Sequence, residues 1–89
     1  MTYEVAWSSP ARRAIANLPE KAATAIVEYI YATIADNPQR AGHPLRLKLA
    51  GRYSARRGDF RVIYEIDDDR TTITIRAIGH RSDIYRQRG

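Results

Sequence analysis

Arginines dominate the residues of this sequence that could do chemistry, and they gather around one histidine and one tyrosine in the second half. The set comprises Arg56, Arg57, Arg61, His80, Arg81 and Tyr85. Arginine keeps its proton at any accessible pH and grips phosphate with a planar fork of N–H donors. Histidine is the side chain whose ordinary pKa lies closest to neutrality, which suits proton transfer. An aromatic ring can stack on an unpaired nucleobase, so the combination favours RNA as the ligand.

RNA carries its own nucleophile, the 2′-OH, so an RNA-cleaving site needs three catalytic functions. The site must deprotonate that hydroxyl, stabilise the extra charge on phosphorus and protonate the leaving 5′ oxygen. Arginines can stabilise the charge, and His80 is the candidate for the proton transfers. Arg56 and Arg57 are candidate phosphate ligands, and Arg46 and Lys48 are candidate phosphate contacts at the rim.

Each of these side chains also has a plain structural explanation. A strand arginine is commonly solvated or paired with a neighbouring acid, here Asp59 or Glu65. The charge distribution nevertheless favours a polyanionic partner. Residues 1–39 hold 3 basic and 4 acidic side chains, whereas residues 40–89 hold 12 basic and 6 acidic. Of the 15 basic residues 13 are Arg, and the acids of the second half are too few to neutralise them.

Length and composition exclude several classes of site. With 89 residues the chain is expected to form one domain, residues 1–89, with a thin core. The absence of Cys excludes disulfide scaffolds and thiol nucleophiles. No metal motif is present, and the run Asp67-Asp68-Asp69 predicts a polar turn, because it lacks the downstream Gly and Glu of a calcium loop. We therefore expect neither a metal nor a cofactor.

Nothing in the sequence predicts export or membrane insertion. The first residues lack a basic stretch followed by an apolar run. The most apolar segment, residues 22–35, contains Glu28 and is shorter than the ~20 residues that a membrane-spanning helix needs. We expect a cytoplasmic protein.

Hydrophobic periodicity predicts an α+β fold of order β-α-α-β-β-β. The first helix is expected to begin at Ser9-Pro10 with Ser9 as its cap, and the proline after Leu18 to separate it from the second helix. Strands are predicted on either side of this helical hairpin, and the last residues are expected to form a short helical turn. The predicted strands cover residues 3–7, 52–57, 59–67 and 71–78, and the C-terminal turn covers residues 82–88.

The two helices are expected to cover one face of a curved antiparallel sheet and to leave the other face for function. Along residues 59–67, Phe60 points to one face and Arg61 to the other. Continued alternation in the last strand places His80 on the same face as Arg76. Leu-rich alternation around Arg46 and Lys48 predicts that part of residues 38–51 is extended. The pattern does not say where the first strand joins the sheet.

Three segments, in this order, resemble the RelE branch of the RelE/ParE toxin superfamily. They read Gly42-x-Pro44-Leu45, then Leu49-x-Gly51-x-Tyr53-Ser54-x-Arg56-x-Gly58-x-x-Arg61-Val62-x-Tyr64, then Gly79-His80-Arg81-x-x-Ile84-Tyr85. The resemblance implies a microbial-RNase-like fold. It also implies the toxin of a type II toxin–antitoxin pair that cleaves mRNA in the ribosomal A site without a metal, leaving a 2′,3′-cyclic phosphate and a 5′-OH.

The resemblance also assigns roles to individual residues. Arg61 and Arg81 match phosphate-binding and transition-state arginines, and Tyr85 matches a tyrosine that stacks on the scissile nucleotide or assists proton transfer. The strand that often carries two catalytic lysines here contains Arg56 instead, and an arginine is a poor base. We therefore expect His80 to supply the acid/base function.

A partner follows from the same resemblance: an acidic antitoxin, RelB- or Phd-like, that is disordered when free and wraps the basic face. Burying arginines requires carboxylates to pair with them. The other expected partners are the ribosome and mRNA, and no membrane. Two alternatives stay open, a ParE-like poison of DNA gyrase and an inactive relic that only binds its antitoxin.

Overall fold

A five-stranded sheet with helices packed on one face makes up residues 2–80, the part of the chain that this computed structural model describes. The strands are β1 (Glu4–Trp7), β2 (His43–Pro44), β3 (Arg52–Arg57), β4 (Phe60–Asp67) and β5 (Thr72–His80), in the spatial order β1-β5-β4-β3-β2. The helices are α1 (Ser9–Ala16), α2 (Glu20–Tyr29) and α3 (Pro38–Ala41). The predicted α+β fold is confirmed, and the predicted helical turn at residues 82–88 lies outside the described residues.

The first strand joins the sheet beside the last one. β1 pairs with β5 in parallel, with Val5 opposite Ile73, whereas the other three neighbouring pairs are antiparallel. The predicted meander of β3, β4 and β5 is therefore correct. The sequence pattern left the position of β1 open, and the structure makes it the edge strand of a mixed sheet.

The cap of the α1 helix lies one residue earlier than predicted. Ser8, not Ser9, is the cap, and its hydroxyl accepts a hydrogen bond from the Ala11 N–H at 3.3 Å. Pro10 then lies in the first turn, where its missing N–H has no intrahelical acceptor to serve. The predicted break at Leu18-Pro19 is confirmed, since α1 ends at Ala16 and α2 begins at Glu20.

The core lies between the helices and one face of β4 and β5. Ile26 of α2 and Ile30 and Ile34 of the π-helical turn that continues it (Ile30–Ile34) are at most 1% exposed. They pack in one cluster with the fully buried Val62 and Tyr64 of β4. Burial of side chains of this size contributes about 1.5–3 kcal/mol each, so this face fixes the helices to the sheet. The prediction that the helices cover one face is confirmed.

Residues 38–51 differ from the extended structure that their alternation predicts. They contain the short helix α3, the two-residue strand β2 and a 3₁₀ turn at Leu47–Leu49. Leu47 adopts a left-handed φ of 59°, which breaks the alternation, and its side chain is 91% exposed. The alternation of leucines and basic residues therefore describes an irregular loop and not a strand.

A buried tyrosine ties α3 to the sheet. The Tyr64 hydroxyl donates to the Pro38 carbonyl at 2.6 Å. Its oxygen lies so close to Gly42 that a Cβ on that residue would be 2.7 Å from it and 2.5 Å from the Ser54 carbonyl oxygen. Gly42 is therefore required by close packing at the start of β2.

Candidate nucleic-acid interface

Arg56 and Arg61 lie directly opposite each other on β3 and β4, beside the turn that joins these strands. Gly58 in that turn has a φ of 62°, the left-handed conformation that tight hairpin turns need. Side chains alternate along a strand, so Arg61 points away from the face on which Val62 packs in the core. We call this second side of the sheet the outer face. Of the two predicted phosphate ligands that precede this turn, Arg56 is therefore the one that lies beside Arg61.

Two like charges at directly opposed positions destabilise a sheet, and an anion bound between them would offset that effect. Arg61 is half-buried, and its Nε atom is buried. The Arg56 Nε donates to the Gly58 carbonyl at 3.0 Å. This bond does not use the two terminal nitrogens of the Arg56 guanidinium. A phosphate, with its several acceptor oxygens, matches two such forks.

The outer face is less uniformly exposed to solvent than expected. Ser54 and Ile63, which lie opposite each other in its middle, are 0% and 4% exposed. Arg56, at the end of β3, is exposed. Beside the turn at Gly58, Arg56 therefore carries accessible charge on this face.

Arg57 lies on the opposite side of the sheet from Arg56. It pairs with Phe60, whose ring packs against the core cluster. It is also close enough to α2 to act on Tyr29: burial raises the pKa of that phenol, and the positive charge of Arg57 partly offsets the effect. Of the predicted phosphate ligands, Arg57 therefore stands apart from Arg56 and Arg61.

A β-bulge in β5 moves His80 off the outer face. Tyr64 lies opposite Ile75 and Ile63 lies opposite Ala77, which leaves Arg76 as an extra residue. Alternation is inverted beyond such a bulge. His80 consequently lies opposite Phe60, and the two rings meet edge to face with centroids 5.9 Å apart. The prediction that His80 and Arg76 share a face is wrong for this reason.

His80 nevertheless ends β5 at the same end of the sheet as the arginine pair. Gly79, the residue before it, is the direct partner of Arg61. A ligand at this end of the strands could therefore be approached by Arg61 from one side of the sheet and by His80 from the other. The other predicted catalytic residues, Arg81 and Tyr85, lie outside the described residues.

Arg46 and Lys48 lie at the other end of β3. Their loop is anchored there because the Leu45 N–H donates to the Arg52 carbonyl at 2.8 Å. Arg52 and Arg56 are separated by ~13 Å at an ordinary strand rise. The structure therefore does not bring Arg46 and Lys48 to the arginine pair; they flank the exposed Leu47 instead.

Sequence reasoning missed one charged cluster on the outer face. Glu65 lies opposite Arg52, whose Nε is 3.2 Å from Glu65 Oε2, while the Nε of Arg76 is 3.8 Å from Glu65 Oε1. The available signal was alternation, because Glu65 follows Arg61 by four residues and must share its face. Pairing across β3 and β5 then supplies the two arginines.

The acidic run begins at the last residue of β4, Asp67, and continues into the predicted turn. The Asp67 carboxylate accepts from the Arg70 N–H at 3.2 Å. The Asp68 carboxylate accepts from the hydroxyl of Tyr3 at 2.6 Å and from the amide of Gln39 at 2.9 Å. Within residues 2–80 no three His, Cys, Asp or Glu side chains are grouped as metal ligands would be. No helix among these residues is long and apolar enough to cross a membrane.

Comparison with known proteins identifies the family. Residues 5–85 match the family model described as the ParE toxin of the type II toxin–antitoxin system parDE. This chain belongs to the RelE/ParE toxin superfamily. It is therefore a type II toxin by descent, as the three sequence segments predicted.

Named relatives within the superfamily are RelE-type toxins. Toxin RelG of Mycobacterium tuberculosis is 45% identical over 98% of this chain and 100% of its own length. Toxin RelE of the same organism is 48% identical over 94% of this chain and 87% of its own. A chain of the RelBE2 toxin–antitoxin complex from M. tuberculosis has 42% identity and a TM-score of 0.88, covering 93% of this chain and 95% of that one.

More distant superfamily members share the fold. A chain of the intact Escherichia coli RelBE toxin–antitoxin complex is 14% identical with a TM-score of 0.75, covering 88% of this chain and 95% of that one. At this identity the similarity concerns the fold alone. The predicted RelE-like architecture is confirmed by both structures.

Proposed function

We propose that this toxin is a ribosome-dependent endoribonuclease that cleaves mRNA in the A site. The observation that carries the proposal is the Arg56–Arg61 pair on the outer face, which supplies two guanidinium forks to one phosphate. The superfamily membership and the similarity to the toxins RelG, at 45% identity, and RelE, at 48% identity, support the same activity. A ribosomal target would also place the toxin in the cytoplasm.

In the proposed reaction the 2′ oxygen attacks the adjacent phosphorus, and the bond from phosphorus to the 5′ oxygen breaks. The products are a 2′,3′-cyclic phosphate and a 5′-OH, so one proton leaves the 2′-OH and one is delivered to the 5′ oxygen. Arg61 and Arg81 stabilise the charge that develops on the phosphoryl oxygens. His80 transfers the protons, and Tyr85 stacks on the scissile nucleotide or assists that transfer.

The position of His80 constrains where the phosphate would lie. Because His80 and Arg61 point to opposite sides of the sheet, a phosphate within reach of both must sit beyond the ends of β4 and β5. A phosphate laid flat on the outer face would contact Arg56 and Arg61 without His80. The proton-transfer role of His80 is thus testable separately from the phosphate-binding role of Arg61.

Single-turnover cleavage of mRNA on programmed ribosomes, read by primer extension, tests the proposal. Arg61→Ala should slow cleavage by about 10²–10³-fold, as loss of one transition-state donor does. Arg70→Ala, the same change in the exposed turn at the far end of the sheet, should stay within about twofold, since it touches neither phosphate nor transition state. Equal rates for the two variants would overturn the assignment of Arg61.

His80 requires its own variants. His80→Gln should slow cleavage by about 10²–10⁴-fold and remove the limb of the pH–rate profile that histidine produces. Arg81→Ala should slow cleavage without changing that profile. If His80→Gln kept the wild-type rate and profile while Arg81→Ala was inactive, the histidine would have no catalytic role.

The family model's description favours one second candidate function, poisoning of DNA gyrase in the manner of ParE. Gyrase–DNA complexes that accumulate on induction, with intact mRNA, would support it. A-site cuts in mRNA with normal gyrase would support the ribonuclease. Unimpaired growth on induction would instead indicate a relic that only binds its antitoxin.

The proposed partner is an acidic antitoxin whose flexible segment covers the outer face. Solved structures of similar toxins include toxin–antitoxin complexes, which supports such a partner here. Carboxylates of that segment would pair with Arg56 and Arg61, so Arg61→Glu should weaken the complex through like-charge repulsion. Calorimetric titration of the toxin with the product of the neighbouring reading frame measures this, with Arg70→Glu as the matched control.

A further inference from the structure

The bulge in β5 is held in place by the residue that follows the neighbouring edge strand β1. Ser8 donates its hydroxyl hydrogen to the Arg76 carbonyl at 3.2 Å while the same oxygen accepts from the Ala11 N–H. The Ser8 N–H donates to the Ile75 carbonyl at 3.1 Å. The backbone of the extra residue is therefore fixed by the residue that caps α1. A bulge that is fixed in this way aims a side chain reproducibly.

The side chain that the bulge aims is an arginine on the outer face. The Arg76 Nε lies 3.8 Å from Glu65 Oε1, and Arg52 approaches the other carboxylate oxygen from β3 at 3.2 Å. One carboxylate thus separates two guanidinium groups and leaves the cluster with a net charge of +1. The side chains of Arg52 and Arg76 are 33% and 39% exposed, so both forks are accessible to a ligand.

This cluster is displaced along the sheet from the Arg56–Arg61 pair. Glu65 is four residues beyond Arg61 on β4, which is ~13 Å at an ordinary strand rise. Arg76 lies between the two positions, since Glu65 pairs with Thr74 and Arg61 pairs with Gly79. An extended polyanion that has one phosphate at Arg61 can therefore present a neighbouring phosphate to Arg76.

The far end of the same face sets a limit to such a path. At the end of the strands beyond Glu65, a shallow groove is lined by Ile66, Thr74 and the acidic residues 67–69. These carboxylates repel phosphate, so a nucleic-acid strand would leave the face at the Arg52–Glu65–Arg76 cluster. Along the outer face, the charge is therefore positive at the Arg56–Arg61 pair, mixed at the Arg52–Glu65–Arg76 cluster and negative beyond that cluster.

We infer that Arg76 binds an mRNA phosphate beside the scissile one, and that Glu65 is the positioning residue that holds Arg76 and Arg52 apart for this contact. The inference rests on the proposed ribonuclease function and adds a second phosphate subsite to it. An RNA strand is favoured over an antitoxin peptide as the ligand, because phosphates repeat at regular intervals along a path that already contains Arg61.

The test combines Arg76→Ala with single methylphosphonate linkages, which remove the charge of one phosphate at a time, in the mRNA of programmed ribosomes. Arg76→Ala should slow cleavage roughly fivefold at low toxin concentration and less than twofold at saturation, because it removes ground-state binding. One methylphosphonate beside the scissile linkage should slow the wild type by the same factor and should not slow Arg76→Ala further.

Two further variants complete the design. Arg70→Ala should keep the full methylphosphonate effect. In Glu65→Gln, the slowing should no longer depend on which linkage of the mRNA carries the methylphosphonate. Arg76→Ala itself should fold normally, because an exposed ion pair contributes little and the Ser8 bond uses the backbone carbonyl that alanine retains. A thermal midpoint equal to the wild type checks this.

The outcomes separate the two proposals. Additive effects of Arg76→Ala and methylphosphonate at every linkage, or wild-type rates at all toxin concentrations, overturn the inference alone. A loss of antitoxin affinity without any change in cleavage also overturns it, and assigns the cluster to the peptide. No cleavage by the wild type overturns the proposed function and the inference together.

Discussion

Removing one buried hydroxyl, in Tyr64→Phe, tests how the sheet is joined to the helical layer. Tyr64 is fully buried and donates to the Pro38 carbonyl at 2.6 Å. Phenylalanine keeps the ring and its stacking on Tyr53, whose centroid is 5.8 Å away. The variant therefore loses the hydrogen bond and leaves a buried carbonyl without this donor, which costs about 2 kcal/mol.

That free energy corresponds to a readily measured change in thermal stability. For a domain of this size 1 kcal/mol shifts the midpoint by about 4–8 °C, so Tyr64→Phe should melt about 8–16 °C lower than the wild type. Tyr31→Phe is the matched control, because its hydroxyl is half exposed and accepts from the Trp7 indole N–H at 3.2 Å. Its expected effect is within about 0.5 kcal/mol. Equal midpoints for the two variants in differential scanning calorimetry would refute the reasoning.

The same hydroxyl gives stability a dependence on alkaline pH. Burial raises the pKa of Tyr64 well above the ordinary value of 10.0. Above pH 10.0, the unfolded chain releases the phenolic proton while the folded chain keeps it. The free energy of unfolding therefore falls as pH rises. Tyr64→Phe should lose stability less steeply above about pH 10 than the wild type. A parallel fall in urea midpoints for both proteins would contradict this.

Three further substitutions test separate contacts. Gly42→Ala should destabilise the protein by about 2 kcal/mol or more, because its Cβ would meet the Ser54 backbone oxygen at 2.5 Å; an unchanged urea midpoint would contradict this. Ser8→Ala should cost about 1–2 kcal/mol, since it removes the cap of α1 and the bond to the bulge, and Ser8→Thr should restore most of it in the same urea titration. Asp68→Asn should lower the pKa of Tyr3, which the hydrogen bond to Asp68 chiefly raises; an unchanged NMR titration of that phenol would show that the contact is absent in solution.

Much of the fold could be predicted because local chemistry and tertiary packing agree. The proline after Leu18 separates two apolar helical stripes, and the strands around Gly58 alternate over their whole length. Alternation was misleading where a single residue changes the backbone. Leu47 adopts a left-handed φ in what looks like a strand, and the extra residue Arg76 cannot be distinguished from ordinary alternation.

In the candidate site too, some residues could be placed from the sequence and others could not. Arg61 could be placed on the outer face because the alternation of β4 is unbroken, whereas the choice of Arg56 over Arg57 as its partner needed the strand register. His80 could not be placed, because the bulge that turns it away depends on contacts made by Ser8. The Arg52–Glu65–Arg76 cluster needed the register of three strands, which no single segment contains.

The parallel pairing of β1 with β5 has a consequence for synthesis of the chain. Ser8, which follows β1, bonds to Arg76, 68 residues away, so the sheet cannot close until nearly all of the described chain is available. Such non-local contacts slow folding, because the chain loses loop-closure entropy before the contacts that compensate for this loss can form. An incomplete nascent chain therefore lacks the edge strand, the bulge and the aimed Arg76. Under the proposed function, the toxin would in this way lack its completed sheet while it is still being translated.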